Sequence, residues 1–230
     1  MKKILWCGGS HLGNAKRAIE AIFPDVENTF YITAGPTNLR WSREGGRYSV
    51  EGSIVGGNGR SPSVFHDLAN YDRIVFIGHW IQPQRFMKGR APLSDAVLDE
   101  MFRKHDFLIN SPSRIYNEAL EVFPRLAPGK CVLVCDPLSN MLELTQVPVR
   151  AKVRFLEKAA EFCAAREIGF VSQPETTLNT KMVTKKKFNR RDGDFIHMDD
   201  RFWKSYLKKV RNYMDDQVAI LRDALEAAAI

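Results

Sequence analysis

Short runs of consecutive apolar residues, spaced along the chain, narrow the possible folds more than any other feature of this sequence. They are Ile4-Leu5-Trp6-Cys7, Phe30-Tyr31-Ile32, Ile74-Val75-Phe76-Ile77, Phe107-Leu108-Ile109 and Cys131-Val132-Leu133-Val134-Cys135, with Gly169-Phe170-Val171 as a further candidate. A strand with one wet face alternates apolar and polar residues, whereas a run that is apolar at every position suits a strand covered on both faces, the usual condition of parallel strands. Segments with helical spacing lie between the runs. After Ser10, residues Ala15, Ala18, Ile19 and Ile22 share one helical face, and Ser94 is placed to cap a helix that buries Val97, Leu98, Met101 and Phe102. Val149, Val153, Leu156, Ala160 and Cys163 form another stripe, and Trp203, Leu207, Val210, Met214, Leu221 and Leu225 predict a final helix that closes over the sheet. The alternation predicts a doubly wound α/β sandwich with a mostly parallel central sheet, flavodoxin-like in kind.

The 230 residues, 44% of them hydrophobic, suit one α/β domain over residues 1–230 with a substantial core. The apolar start of the chain stops at Gly8-Gly9 with no cleavage site after it, and it reads as a buried first strand instead of a leader. No apolar stretch approaches the roughly 18 residues of a membrane span, so the expectation is a cytoplasmic protein with no membrane span. Cys7, Cys131, Cys135 and Cys163 lie in apolar surroundings without metal-ligand spacing, which favours reduced structural thiols. Five scattered histidines give no metal-binding cluster either, and no metal is expected.

Two regions break the rhythm. Residues 36–63 are rich in Gly and Arg, and residues 173–191 end in Lys185-Lys186-Lys187-Phe188-Asn189-Arg190-Arg191. Both read as long loops, a class of segment that often carries function. The formal charge of +7 favours an anionic partner such as a phosphate, a nucleotide-bearing donor or an acidic glycan. No helix-turn-helix, RNP or zinc-finger pattern accompanies the charge, so nucleic acid is not expected.

The segment Ile4 to Asn14 reads as strand, glycine turn and helix, which places Ser10 at the carboxyl edge of the sheet, where open α/β sheets bind ligands. A hydroxyl there lies beside the positive end of a helix, and its own N–H can face a developing oxyanion. The plainer alternative is that Gly8-Gly9-Ser10 only makes the turn and caps the helix. Near the other end, Asp194 and His197 are separated by two residues, a spacing that lets a carboxylate orient an imidazole. A serine hydroxyl needs a base to remove its proton, and the base works best when a third group fixes its tautomer. The alternative here is a solvated acidic loop with a packing histidine. His11 is expected to point away from the site, because consecutive helix positions do not share a face.

Taken together, Gly8-Gly9-Ser10 after the first strand and Asp194-Phe195-Ile196-His197 before the last helix resemble the SGNH (GDSL-like) hydrolase and acyltransferase superfamily. Gly9 stands where that family carries an aspartate. The resemblance implies a three-layer α/β/α fold and a catalytic set of Ser10, Asp194 and His197. It also implies an oxyanion hole made by the Ser10 amide and Gly57 of the Ser53 to Asn58 block, with Asn58, His79 and Trp80 as further candidates. The family's later asparagine is absent from Ile77-Gly78-His79-Trp80-Ile81-Gln82, so either another group such as His79, Trp80 or Gln82 replaces it or catalysis is weak. By the same resemblance the expected activity is hydrolysis or transfer of an acyl ester on a small molecule or glycan. No cofactor is required, and a coenzyme A thioester is an admissible donor. Lys185, Lys187, Arg190 and Arg191 are the candidate binders of an anionic donor or substrate. The competing reading is a binding protein on the same fold that holds an acidic glycan or a nucleotide-containing ligand without turnover.

Overall fold

The computed structural model describes residues 2–32, 40–44, 47–51, 68–78, 114–191 and 193–228, with isolated positions between 83 and 100. Its central sheet is formed by β1 (Lys2–Gly8), β2 (Val26–Ile32), β5 (Arg73–Ile77), β6 (Cys131–Val134) and β7 (Gly169–Val171), in the spatial order β2-β1-β5-β6-β7. All four pairings are parallel: Gly8 lies opposite Ile32 on one side and Ile77 on the other, Ile77 opposite Val134, and Val134 opposite Val171. The apolar runs at residues 4–7, 30–32, 74–77, 131–135 and 169–171 fall within or beside these strands, and the run at 107–109 lies outside the described residues.

Burial on both faces is explicit in how the side chains divide. Leu5, Cys7, Ile74, Phe76, Cys131 and Leu133 pack into one core, against Leu120 and Phe123 of α2 (Arg114–Leu126) and Ala151, Phe155 and Ala159 of α4 (Val149–Ala164). Their neighbours Ile4, Trp6, Val75, Ile77, Val132 and Val134 point the other way. They meet Leu12, Ala15 and Ile19 of α1 (Ser10–Ile22) and Phe202, Trp203, Tyr206 and Val210 of α5 (Asp200–Ala228). The period of two along each strand thus feeds two helical layers, giving the expected three-layer α/β/α sandwich. A further short helix, α3 (Leu142–Gln146), precedes α4.

Several details differ from the sequence-based reading: Val97, Val149 and Val153, expected on apolar helical faces, are exposed, and α4 instead buries Ala151, Phe155, Ala159 and Phe162 with Cys163. Residues 36–63 are not wholly irregular: β3 (Arg40–Glu44) and β4 (Arg47–Glu51) pair antiparallel as a separate hairpin. The helices α2 and α3 were not anticipated. Residues 173–191 are irregular as expected, but they are firmly held. Gln173 is buried; its side chain accepts from the Leu138 amide and donates to the hydroxyls of Thr177 and Thr184. The buried Lys152 of α4 donates to the Lys181 carbonyl. All four cysteines are free and buried. No helix among the described residues is long and apolar enough to cross a membrane.

The chain moves outward from β1 to β2 and then crosses back to β5, so the strand order reverses between β1 and β5. Ligands bind open α/β sheets outside the carboxyl ends of the strands at such a reversal. Gly8 ends β1 there, and a Cβ on it would lie 1.7 Å from the Ile77 carbonyl oxygen, so only glycine lets the two strands meet at this edge.

Candidate active site

Ser10 is the first residue of α1, immediately beyond the carboxyl end of β1, and is exposed. Gly9 occupies the N-cap position and no side chain caps the helix, so the hydroxyl of Ser10 is not engaged in the capping role that serine often takes. The first amides of a helix have no partner within it, which leaves donors at this end of α1.

Asp194 and His197 sit at the tip of a short hairpin that leads into α5. The hairpin is closed by the Asn189–Met198 bridge and by bonds from the Arg190 amide to His197 O (3.0 Å) and from the Asp199 amide to Phe188 O (2.8 Å). Gly193 turns the tip with φ +81°, a left-handed conformation that glycine adopts without strain. Asp199 caps α5, its carboxylate accepting from the Phe202 amide at 2.9 Å. The helix start therefore anchors one leg of the hairpin.

The carboxylate of Asp194 is used at both oxygens. Oδ1 accepts from the amides of His197 (2.9 Å) and Ile196 (3.2 Å), and Oδ2 lies 3.1 Å from His197 Nδ1. Burial on its own would push the pKa of this carboxyl up, but the two amides and the His197 ring outweigh burial and hold it below the usual carboxylate range. It is therefore ionised and can only accept hydrogen bonds. Nδ1 of a neutral His197 must then carry the proton, which leaves Nε2 with a free lone pair.

Two segments far apart in sequence meet here. The ring of His197 packs 5.7 Å, centroid to centroid, from the ring of His11, the residue after Ser10. Arg190 Nη1 donates to Asn14 Oδ1 at 2.7 Å, and Asn14 Nδ2 donates to Ser10 O at 2.8 Å. These contacts bring Ser10, Asp194 and His197 to one edge of the sheet. Among the described residues no hydrogen bond joins the Ser10 hydroxyl to His197.

His11 does occupy a different face from Ser10, buried where Ser10 is exposed, but that face is the one that meets His197. Burial, aided by the nearby His197 and opposed by Asp194, pushes its imidazole down to about 4, so it is neutral at neutral pH. Its Nδ1 is buried and has no hydrogen-bond partner among the described residues. His11 and Asn14 were not picked out as site residues; the one available signal was that Asn14 follows Ser10 by four positions, one helical turn.

The basic residues separate by location. Lys185 Nζ donates to Thr176 O at 2.9 Å, and Lys187 Nζ lies 5.2 Å from the centre of the adjacent Phe188 ring. Arg191 is exposed, and its carbonyl accepts from the Asp194 amide. Of the four, Arg190 is the one bonded to α1. Gly57, Asn58, His79 and Trp80, expected at the oxyanion hole, lie outside the described residues.

No protein-family model and no curated protein matches the chain. Among solved structures, it is similar to a lipase/acylhydrolase from Enterococcus faecalis at 10% identity, over 95% of this chain and 97% of that one, with a TM-score of 0.45. It is also similar to a GDSL-like lipase from Bacteroides thetaiotaomicron at 11% identity, over 99% and 89% of the two chains, with a TM-score of 0.41.

Proposed function

We propose that this chain is a serine-dependent acyl-ester hydrolase or O-acyltransferase, with Ser10 as nucleophile, His197 as base and Asp194 as the group that orients it. The observation that carries the reading is the Asp194–His197 pair: an ionised carboxylate fixed by two amides, bonded to Nδ1 of an imidazole that borders the first turn of α1.

In the proposed reaction His197 Nε2 takes the proton of the Ser10 hydroxyl as Oγ bonds to the ester carbonyl carbon. The Ser10 amide and Gly57, with Asn58, His79 or Trp80, receive the oxyanion. Collapse of the tetrahedral intermediate breaks the bond to the leaving oxygen or sulfur, which departs with the proton from His197. Water then releases the acid, or a sugar hydroxyl accepts the acyl group. The proposed substrate is an acylated carbohydrate, with Lys185, Lys187, Arg190 and Arg191 as the cations available to an anionic substrate or a coenzyme A donor. The absence of a Ser10–His197 hydrogen bond favours the second reading, a binding protein for an acidic glycan or nucleotide-containing ligand.

A fluorophosphonate probe separates the two. The enzyme reading expects labelling of the wild type, none in Ser10→Ala, and labelling slowed by roughly 10²–10⁴-fold in His197→Ala. A wild type that stays unlabelled while it binds glycan would establish the second reading.

A further inference from the structure

Among the described residues, one cation at this edge is held in place without a counterion. The Arg190 amide bonds the His197 carbonyl across the hairpin, and its guanidinium reaches α1, where Asn14 links it to the Ser10 carbonyl. A single side chain thus ties the hairpin that bears the proposed base to the helix that bears the proposed nucleophile. The residue is exposed, and among the described residues no Asp or Glu pairs with it. Arg201, by contrast, is paired with Asp199 at 2.7 Å, and Lys185 donates to a backbone carbonyl of its own loop, with no contact to α1. A guanidinium has five N–H donors; the Asn14 bond occupies one and leaves about four directed elsewhere.

Holding a long cationic side chain in one rotamer costs entropy, and a single hydrogen bond to an amide leaves most of its donors with solvent alone. A carboxylate or phosphate would satisfy the planar fork in a bidentate pair. Position limits where that anion sits in the substrate. Asn14 is one helical turn from Ser10, about 6 Å along the axis, so the charge would lie a few bonds from the carbonyl under attack.

We propose that Arg190 is the specificity residue of the site and that the chain acts on esters bearing a carboxylate or phosphate close to the scissile bond. The inference rests on the serine-ester reading above.

The test compares kcat/KM within two ester pairs. One pair is p-nitrophenyl hemisuccinate and neutral p-nitrophenyl butyrate; the other is acetyl-glycerol 3-phosphate and monoacetylglycerol. The wild type should prefer the anionic member of at least one pair, the first pair marking a carboxylate and the second a phosphate. Arg190→Ala and Arg190→Gln should lower the anionic-to-neutral ratio by roughly 10–100-fold, the scale of one lost charged hydrogen bond, and Arg190→Lys should restore part of it.

If Arg190 only tethered the loop, both members of a pair would fall together; a ratio left unmoved, or no anionic preference in the wild type, overturns the inference. Binding of monomethyl succinate and glycerol 3-phosphate to Ser10→Ala, followed by calorimetry, reads charge recognition without turnover. Binding that depends on Arg190 with no ester turned over would sink the serine-ester reading and leave Arg190 as the anion-recognition residue of the site. Binding that ignores Arg190, or none, overturns the inference.

Discussion

Asp194 commits both oxygens to the segment that carries His197, and this makes the effect of altering it specific. In Asp194→Asn the two backbone amides still require an acceptor, so the new amide oxygen must face them and the new NH₂ must face His197 Nδ1. Nδ1 then becomes an acceptor, the proton moves to Nε2, and the ring can no longer serve as the proposed base. Ester turnover should fall by roughly 10³–10⁴-fold in kcat while the thermal midpoint changes little, as read by initial rates and calorimetry on the same preparation. His11 yields a prediction about stability. Its ordinary value of 6.5 drops to about 4 in the folded chain, chiefly through burial and then through His197. Between these values the unfolded chain binds a proton that the folded chain refuses, so stability is complete above about 6.5 and declines as the pH falls toward 4. The full loss is on the order of 3 kcal/mol, and denaturant melts of His11→Phe should show a flatter acid slope than the wild type. The pairing of Asp194 with His197 was legible because the partners are three residues apart. The nearness of His11 and the selection of Arg190 were not, since each depends on two segments far apart in sequence.

At the scale of elements, the junction of β1 and β5 is the tightest point near the site. A methyl on Gly8 would collide with the Ile77 backbone, which cannot swing aside as a side chain can. Gly8→Ala should cost about 3 kcal/mol or more and should lower the urea midpoint without a change in slope. The strands were readable because burial on both faces demands apolar residues at consecutive positions. Arg40-Trp41-Ser42-Arg43-Glu44 and Arg47-Tyr48-Ser49-Val50-Glu51 carry no such run, although the Gly45-Gly46 pair between them is a hairpin signal. In α2, Ile115, Ala119, Val122, Phe123 and Leu126 keep helical spacing, but Pro124 in the last turn reads as a break. The polar anchoring of residues 173–191 was hidden for another reason: Gln173, Thr177 and Thr184 look like surface residues until each finds its buried partner.

For the molecule as a whole, the site is assembled from the first helix and the segment before the last, and the Arg190–Asn14 bond alone spans 176 residues. The formal charge of +7 adds a long-range attraction for anions, which salt screens over about 10 Å at 0.1 M and 3 Å at 1 M. Raising salt across that range should lower kcat/KM several-fold for an anionic ester and leave a neutral one nearly unchanged, as stopped-flow or initial-rate measurements would show. The closeness of Asp194 to His197 has an evolutionary corollary. The proposed base and orienter lie within four consecutive codons on one hairpin tip, while the hydroxyl proposed as their partner is encoded more than 180 codons upstream. A descendant that trims the tip loses both members in a single event, whereas one that replaces the serine inherits an intact proton acceptor with nothing to deprotonate.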